Sequence, residues 1–256
     1  QTKVNYTAGF TFYAGGAIMV LSSQKERKME EKIFEGLTYL ISYPKGFDKE
    51  KKYPLVILLH GAGSREETTK SLRSHNCLKK FLERQDERGY VLLAPLCKRG
   101  TWNEWMMLLV RLVEKYRGTS YVDETRIHLT GYSMGGYGTW ALATLYPNWF
   151  ASAMPICGGG IGGFAMNLVN LPIRAFHGLC DQVVDPIESL QMAKAVNMQG
   201  GHAELILFPK LGHNCFYSVY SDEKNYDWLL SFTAPQDRDL TEDPSLSRYG
   251  KKRSNF

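Results

Sequence analysis

Residues 126–136 read Arg126-Ile127-His128-Leu129-Thr130-Gly131-Tyr132-Ser133-Met134-Gly135-Gly136. A β-prone run stops at Gly131, and Ser133 stands midway between Gly131 and Gly135. A G-x-S-x-G turn that follows a strand and opens a helix lifts its serine to the helix N-terminus. Free amides and the helix dipole there favour developing negative charge. The turn is tight enough for flanking side chains to collide, which accounts for both glycines. Ser133 is therefore the candidate nucleophile. Out of this context the motif would be only a glycine-rich turn.

Strands and helices alternate outward from this turn. Pro54-Leu55-Val56-Ile57-Leu58-Leu59 is a near-continuous apolar run, suited to a strand buried on both faces. Further strands are expected over 37–43, 90–94, 126–130, 150–156, 172–176 and 204–208. Helical spacing of apolar residues marks 105–116, 137–146, 187–196 and 226–232. The charged stretch 24–32 reads as a surface helix or a connection. The alternation predicts an α/β fold, with a mostly parallel central sheet and helices on both faces. Reactive groups in such sheets sit beyond the carboxyl ends of the strands. The connection 158–171 is short and glycine-rich, so little or no lid is expected and the site should be shallow and open.

Leu58-Leu59-His60-Gly61-Ala62-Gly63 also follows a strand. A small-residue loop there lets backbone amides approach a substrate carbonyl. The expected oxyanion donors are the amides of Ala62 and of Met134, with His60 holding the loop. A serine needs a base, and the base needs an orienting acid. Three histidines follow Ser133: His177, His202 and His213. His202 precedes a strand and so lies at the wrong end of the sheet, whereas His213 follows the last one. His177 ends a strand but precedes the acid, so His213 is the expected base. Asp181 and Asp185 both follow the strand ending near His177. Asp185-Pro186 with Glu188 resembles a capped helix start, which explains Asp185 structurally and leaves Asp181 as the acid. Trp102 follows the 90–94 strand, as one wall of a substrate pocket or as a partly exposed anchor.

The chain has 256 residues, 44% of them hydrophobic and 22% charged, which is ordinary globular usage. Three segments are expected: an N-terminal extension over 1–34, a catalytic domain over 35–233, and a poorly ordered tail over 234–256. The net charge of +5 is partly terminal, with Arg248, Lys251, Lys252 and Arg253 near the end. No basic stripe with interleaved aromatics suggests nucleic acid. No apolar run is long enough for a membrane span. Residues 10–21 read as a strand or a hairpin turning at Ala14-Gly15-Gly16, or as the apolar part of an export signal. Asn5-Tyr6-Thr7 matches a glycosylation sequon. Five cysteines without a C-x-x-C pair argue against a structural zinc site. Cys180 and Cys215 flank the acid and the base. Two buried free thiols are expected there, with a disulfide between them as the alternative.

Taken together, these motifs resemble the α/β-hydrolase superfamily, in its dienelactone-hydrolase-like and prolyl-oligopeptidase-like branch. That branch includes microbial carboxylesterases, feruloyl and acetyl esterases and predicted peptidases. The resemblance spans about residues 35–232. It is carried by Tyr53 through Gly63, Val122 through Trp140, His177-Gly178 to Asp181, and Gly212-His213-Asn214-Cys215. One departure is Asp185-Pro186, where the branch often has valine before the proline. The resemblance implies an acyl-enzyme mechanism on a small-molecule ester, with no metal and no cofactor. A peptidase with the same triad, and an idle binding protein of the same fold, are the rival readings. Oligomeric state stays open, as does the compartment, cytoplasmic or secreted from a microbe.

Overall fold

The structure is a computed structural model that describes residues 9–13 and 16–20 as backbone and 29–236 in full. The sequon at 5–7, residues 14 and 15 of the expected turn, and the tail from 237 onward lie outside the described residues. The strands are β1 (Gly9–Tyr13), β2 (Gly16–Val20), β3 (Glu30–Phe34), β4 (Leu37–Ser42), β5 (Tyr53–Leu59), β6 (Val91–Pro95), β7 (Val122–Tyr132), β8 (Ser152–Ile156), β9 (Ile173–Gly178) and β10 (Ala203–Phe208). The helices are α1 (Lys70–Ser74), α2 (Asn76–Arg88), α3 (Met106–Arg117), α4 (Met134–Leu145), α5 (Ile187–Met198), α6 (Cys215–Ser221) and α7 (Glu223–Leu230).

β1 and β2 pair antiparallel. The other eight strands form one sheet in the order β10-β9-β8-β7-β5-β6-β4-β3. Its six strands from β10 to β6 are parallel, and β4 and β3 add antiparallel at one edge. Residues 30–32 of the charged stretch lie in edge strand β3 rather than in a helix or a connection. They are mostly exposed, as a charged outermost strand should be to discourage pairing with another chain.

Side chains alternate across a strand, and β5 feeds two cores in this way. Leu55, Ile57 and Leu59 pack on the face covered by α3, α4 and α5. Val56 and Leu58 pack on the opposite face, under α2, α6 and α7. Each such side chain, fully buried, is worth roughly 1.5–3 kcal/mol over leaving it in water.

Helices α2 and α6 were not expected from the pattern. In α2 the buried stripe of Cys77, Leu78 and Phe81 is completed by a glutamine. Gln85 is buried because its amide is satisfied: Nε2 donates to Ser42 O and to Tyr90 O, each at 2.8 Å, and Oε1 accepts from Ser42 Oγ at 2.8 Å. The 158–171 connection holds a short 3-10 helix (Gly162–Leu168) rather than a long insertion. At the other end of the domain the Ala234 amide donates to Thr125 O at 2.8 Å.

His128, on β7, is a buried pH-sensitive group. Ser152 Oγ donates to Leu229 O at 2.7 Å and so accepts from His128 Nδ1–H at 2.9 Å. His128 Nε2 is left without a partner, and burial pushes the imidazole from 6.5 down to about 3. Because the folded value is the lower one, this contribution to stability is complete above pH 6.5 and is lost as pH falls toward 3. His128→Gln keeps a donor for Ser152 and cannot titrate. Thermal unfolding between pH 7 and pH 4 should therefore show a shallower acid decline in the variant. An identical slope would contradict this.

Candidate active site

The site forms where strand ends meet. Ser133 follows β7 as the cap of α4, with φ 57° and ψ −122°. That left-handed backbone is rare for a residue with a side chain, and it costs on the order of 1–3 kcal/mol. Tight packing holds it in place. The Ser133 amide donates to Ile156 O at 2.9 Å. A Cβ on Gly135 would overlap the Leu59 carbonyl, so the serine turn rests directly on the loop after β5. Gly178 does the same for the far loops, since a Cβ there would overlap the carbonyls of Leu211 and Gly212. Across that approach, Leu179 N donates to Phe208 O and Cys180 N to Leu211 O, each at 3.0 Å.

The three loop ends bring Ser133, His213 and Asp181 into one hydrogen-bonded line. His213 Nε2 lies 2.8 Å from Ser133 Oγ, and His213 Nδ1 lies 2.7 Å from Asp181 Oδ2. In the neutral imidazole Nδ1–H donates to the carboxylate, and Nε2 accepts from the hydroxyl. The Asp181 side chain is fully shielded from solvent, while that of His213 keeps 17% of its exposure. Asp181 Oδ1 accepts from the amides of Val183 at 2.8 Å and Val184 at 3.0 Å. Burial works to raise this carboxyl, but the Val184 amide, His213 and the Val183 amide outweigh it and hold it below the usual carboxylate range.

His177, which the sequence reading passed over, is part of this arrangement. It is fully buried, with Nε2 at 3.1 Å from Asp181 Oδ2 and 3.0 Å from Val184 O. Both are acceptors, so Nε2 carries the proton and donates. Nδ1 faces Ser189 Oγ at 2.7 Å, and that hydroxyl is 2.8 Å from Gly158 O. No periodicity could have revealed this, because the partners sit at irregular offsets along one loop and the helix after it. His202 immediately precedes β10, at the opposite end of the sheet. Asp185 Oδ1 accepts from Ile187 N at 2.9 Å at the start of α5. Glu188 does not close the expected capping box: its amide donates to Asp185 O at 3.0 Å, while its carboxylate acts on the Tyr137 hydroxyl.

Ala62 and Met134 are the first residues of their helices, where amides have no intrahelical acceptor. Both line a cavity of about 390 Å³ together with Arg65, Thr101, Trp102, Asn103, Tyr137 and Gly138. Trp102 is buried rather than a partly exposed anchor, and its Nε1–H donates to His60 O at 3.0 Å. His60 itself ties the loop, with Nδ1 at 2.8 Å from Gly61 O and Nε2 accepting from Cys97 N at 2.9 Å. Burial pushes His60 down to about 4. Tyr137, one helical turn beyond Ser133, is a further wall that the sequence reading missed. Burial and Glu188 raise its hydroxyl to about 12.

All five cysteines are free. Cys180 is exposed rather than buried, with Sγ facing Pro209 O at 3.4 Å, and the sulfur that meets Cys215 is that of Cys157. Among the described residues, Cys157, Asp181 and His213 offer ligand atoms within 4.8 Å of one another. The Asp181 oxygens and both His213 nitrogens already serve the hydrogen bonds above, so a metal there would have to displace them. No helix among the described residues is long and apolar enough to cross a membrane.

The parallel sheet with its serine turn and flanking loops makes this chain an α/β-hydrolase, and its family and its feruloyl esterase relatives make it a carboxylic ester hydrolase. It belongs to the dienelactone hydrolase family, whose sequence profile matches residues 49–228. A probable feruloyl esterase C of Aspergillus terreus (strain NIH 2624 / FGSC A1156) is 26% identical over 206 residues, 78% of this chain and 74% of that protein. Its counterpart in Aspergillus oryzae (strain ATCC 42149 / RIB 40) is 22% identical over 202 residues, 77% of this chain and 73% of that one. Among solved structures, a thermostable esterase superposes with a TM-score of 0.71 at 24% identity, over 89% of this chain. This chain spans 63% of that esterase's length. Est1E from Butyrivibrio proteoclasticus superposes with a TM-score of 0.61 at 15% identity, over 78% of this chain and 97% of Est1E.

Two substitutions test the packing. Gly135→Ala sets a methyl group against a backbone carbonyl that cannot move aside, and should cost about 3 kcal/mol or more in urea unfolding. His177→Leu removes one of the donors to Asp181 Oδ2 and should cost roughly 1–3 kcal/mol, with His177→Gln recovering part of it. Unchanged unfolding midpoints would contradict either account.

Proposed function

We propose that the chain hydrolyses small or aromatic carboxylic esters through an acyl-enzyme. Ser133 is the nucleophile, His213 the base, and Asp181 the acid that orients it. The observation that carries this reading is the continuous hydrogen-bonded line from Ser133 Oγ to Asp181 Oδ2 beside the cavity. His213 takes the serine proton as Ser133 attacks the ester carbonyl, and the buried carboxylate stabilises the imidazolium that forms. The oxyanion is held by the amides of Ala62 and Met134, each worth roughly 3–4 kcal/mol in the transition state. His213 then protonates the leaving alcohol, and water repeats the cycle on the acyl-enzyme. No step draws on a metal or a cofactor.

An aromatic acyl group fits the apolar walls supplied by Trp102, Met134 and Tyr137. Feruloyl or acetyl esters of plant polymers are the natural class to try first. The feruloyl esterase relatives support the aromatic choice, as does the likeness to Est1E, which has been solved with ferulic acid bound.

Methyl ferulate, an aryl acetate and a matched anilide should be compared on wild type and Ser133→Ala. Both esters should turn over with the anilide far slower, and Ser133→Ala should lose at least about a thousandfold in kcat. Anilide turnover matching the esters would favour a peptidase instead. Trp102→Ala should raise KM for the ferulate about tenfold while sparing the acetate; an unchanged ferulate KM would remove Trp102 from the pocket.

A further inference from the structure

Two buried sulfurs meet behind His213. Cys157 Sγ and Cys215 Sγ lie 3.0 Å apart, although 58 residues separate them in the chain. Cys157 follows β8 with a left-handed φ of 48°, and its amide is tied to Phe176 O at 2.9 Å. Cys215 opens α6, two residues after His213, with its amide on Gly212 O at 3.1 Å. Cys157 Sγ also donates to His213 O at 3.4 Å. Both sulfurs therefore ride on fixed backbone, and they face each other across the loop that carries His213.

We propose that Cys157 and Cys215 are a disulfide-forming site, and that the bond secures the His213 loop to the end of β8. A disulfide spans about 2.05 Å, so roughly 1 Å of approach completes it. Because both residues are buried, the oxidant in the folded protein must be as small as a peroxide. The hydrogen bond to Cys215 and burial push the Cys157 thiol up. One sulfur of the pair, as a thiolate, takes one oxygen of hydrogen peroxide, forming a sulfenic acid and releasing hydroxide, which picks up the proton just lost. The other sulfur then displaces water from the sulfenic sulfur and closes the bond. Two thiols and one peroxide give one disulfide and two waters. The sulfurs lose two electrons and the peroxide gains them. The cross-link shortens the freedom of the unfolded chain, and it does not depend on which ester the site accepts.

The experiment treats the full chain with hydrogen peroxide, blocks the remaining thiols, digests without reductant and maps the peptides by mass. Melting is followed before and after reduction, with Cys215→Ser and Cys157→Ala as parallel variants. A Cys157–Cys215 peptide is expected, together with a Tm about 5–10 °C above that of the reduced protein. Neither variant should show the reductant-dependent Tm difference, so the readout stands even if one of them folds poorly. Free thiols at both positions, or pairing through exposed Cys180, would overturn the proposal. A mapped cross-link with no change in Tm would overturn the securing role.

Discussion

A carboxylate with no solvent contact has to be met by donors on every side, and the site is organised around that requirement at Asp181. Two backbone amides, His177 and His213 converge on its two oxygens. Each of these partners is placed by a different part of the fold. The amides come from the turn after β9, His177 from the last residues of β9 itself, and His213 from the loop after β10. Removing any one leaves a buried acceptor short, which is the expensive error in a low-dielectric interior. The carboxylate thereby fixes the orientation of His213, and His213 fixes the reach to Ser133.

Close backbone approach is the second constraint. The strained φ of Ser133 persists because the turn is pinned between the carbonyls of Leu59 and Ile156. The same economy of space recurs at Gly178, where the loops bearing Asp181 and His213 touch through backbone alone. Large side chains at either contact would separate the strand ends whose meeting makes the site. The parallel order of β5, β7, β8 and β9 supplies the frame, since adjacent parallel strands deliver their carboxyl ends to one edge.

The parts of this arrangement legible in the sequence are those with local chemistry. The apolar runs of β5 and β7 announce buried strands, and the glycines around Ser133 announce the tight turn. Asp181 and His213 could be singled out because chain order and strand ends restrict the choice. Helix α2 escaped because Gln85 interrupts its apolar stripe and is paid for by three hydrogen bonds. Helix α6 escaped because its residues directly follow the His213 loop and read as part of it. His177 escaped because its partners fall at irregular offsets along the loop after β9 and in α5. The Cys157 and Cys215 pair escaped for a deeper reason: it is set by strand adjacency, and nothing in the local spacing encodes which loop will lie beside which. The burial of Trp102 escaped as well, since it follows from a hydrogen bond to a loop 42 residues earlier.

The central claim is that the Asp181 and His213 line activates Ser133, and covalent capture tests it most directly. A fluorophosphonate probe should be applied to wild type, Ser133→Ala and His213→Ala, with labelling read by intact mass and peptide mapping. The account predicts stoichiometric labelling of wild type at Ser133, none at that position in Ser133→Ala, and labelling slowed by at least about a thousandfold in His213→Ala. An unlabelled folded wild type, or equal labelling rates with and without His213, would contradict it.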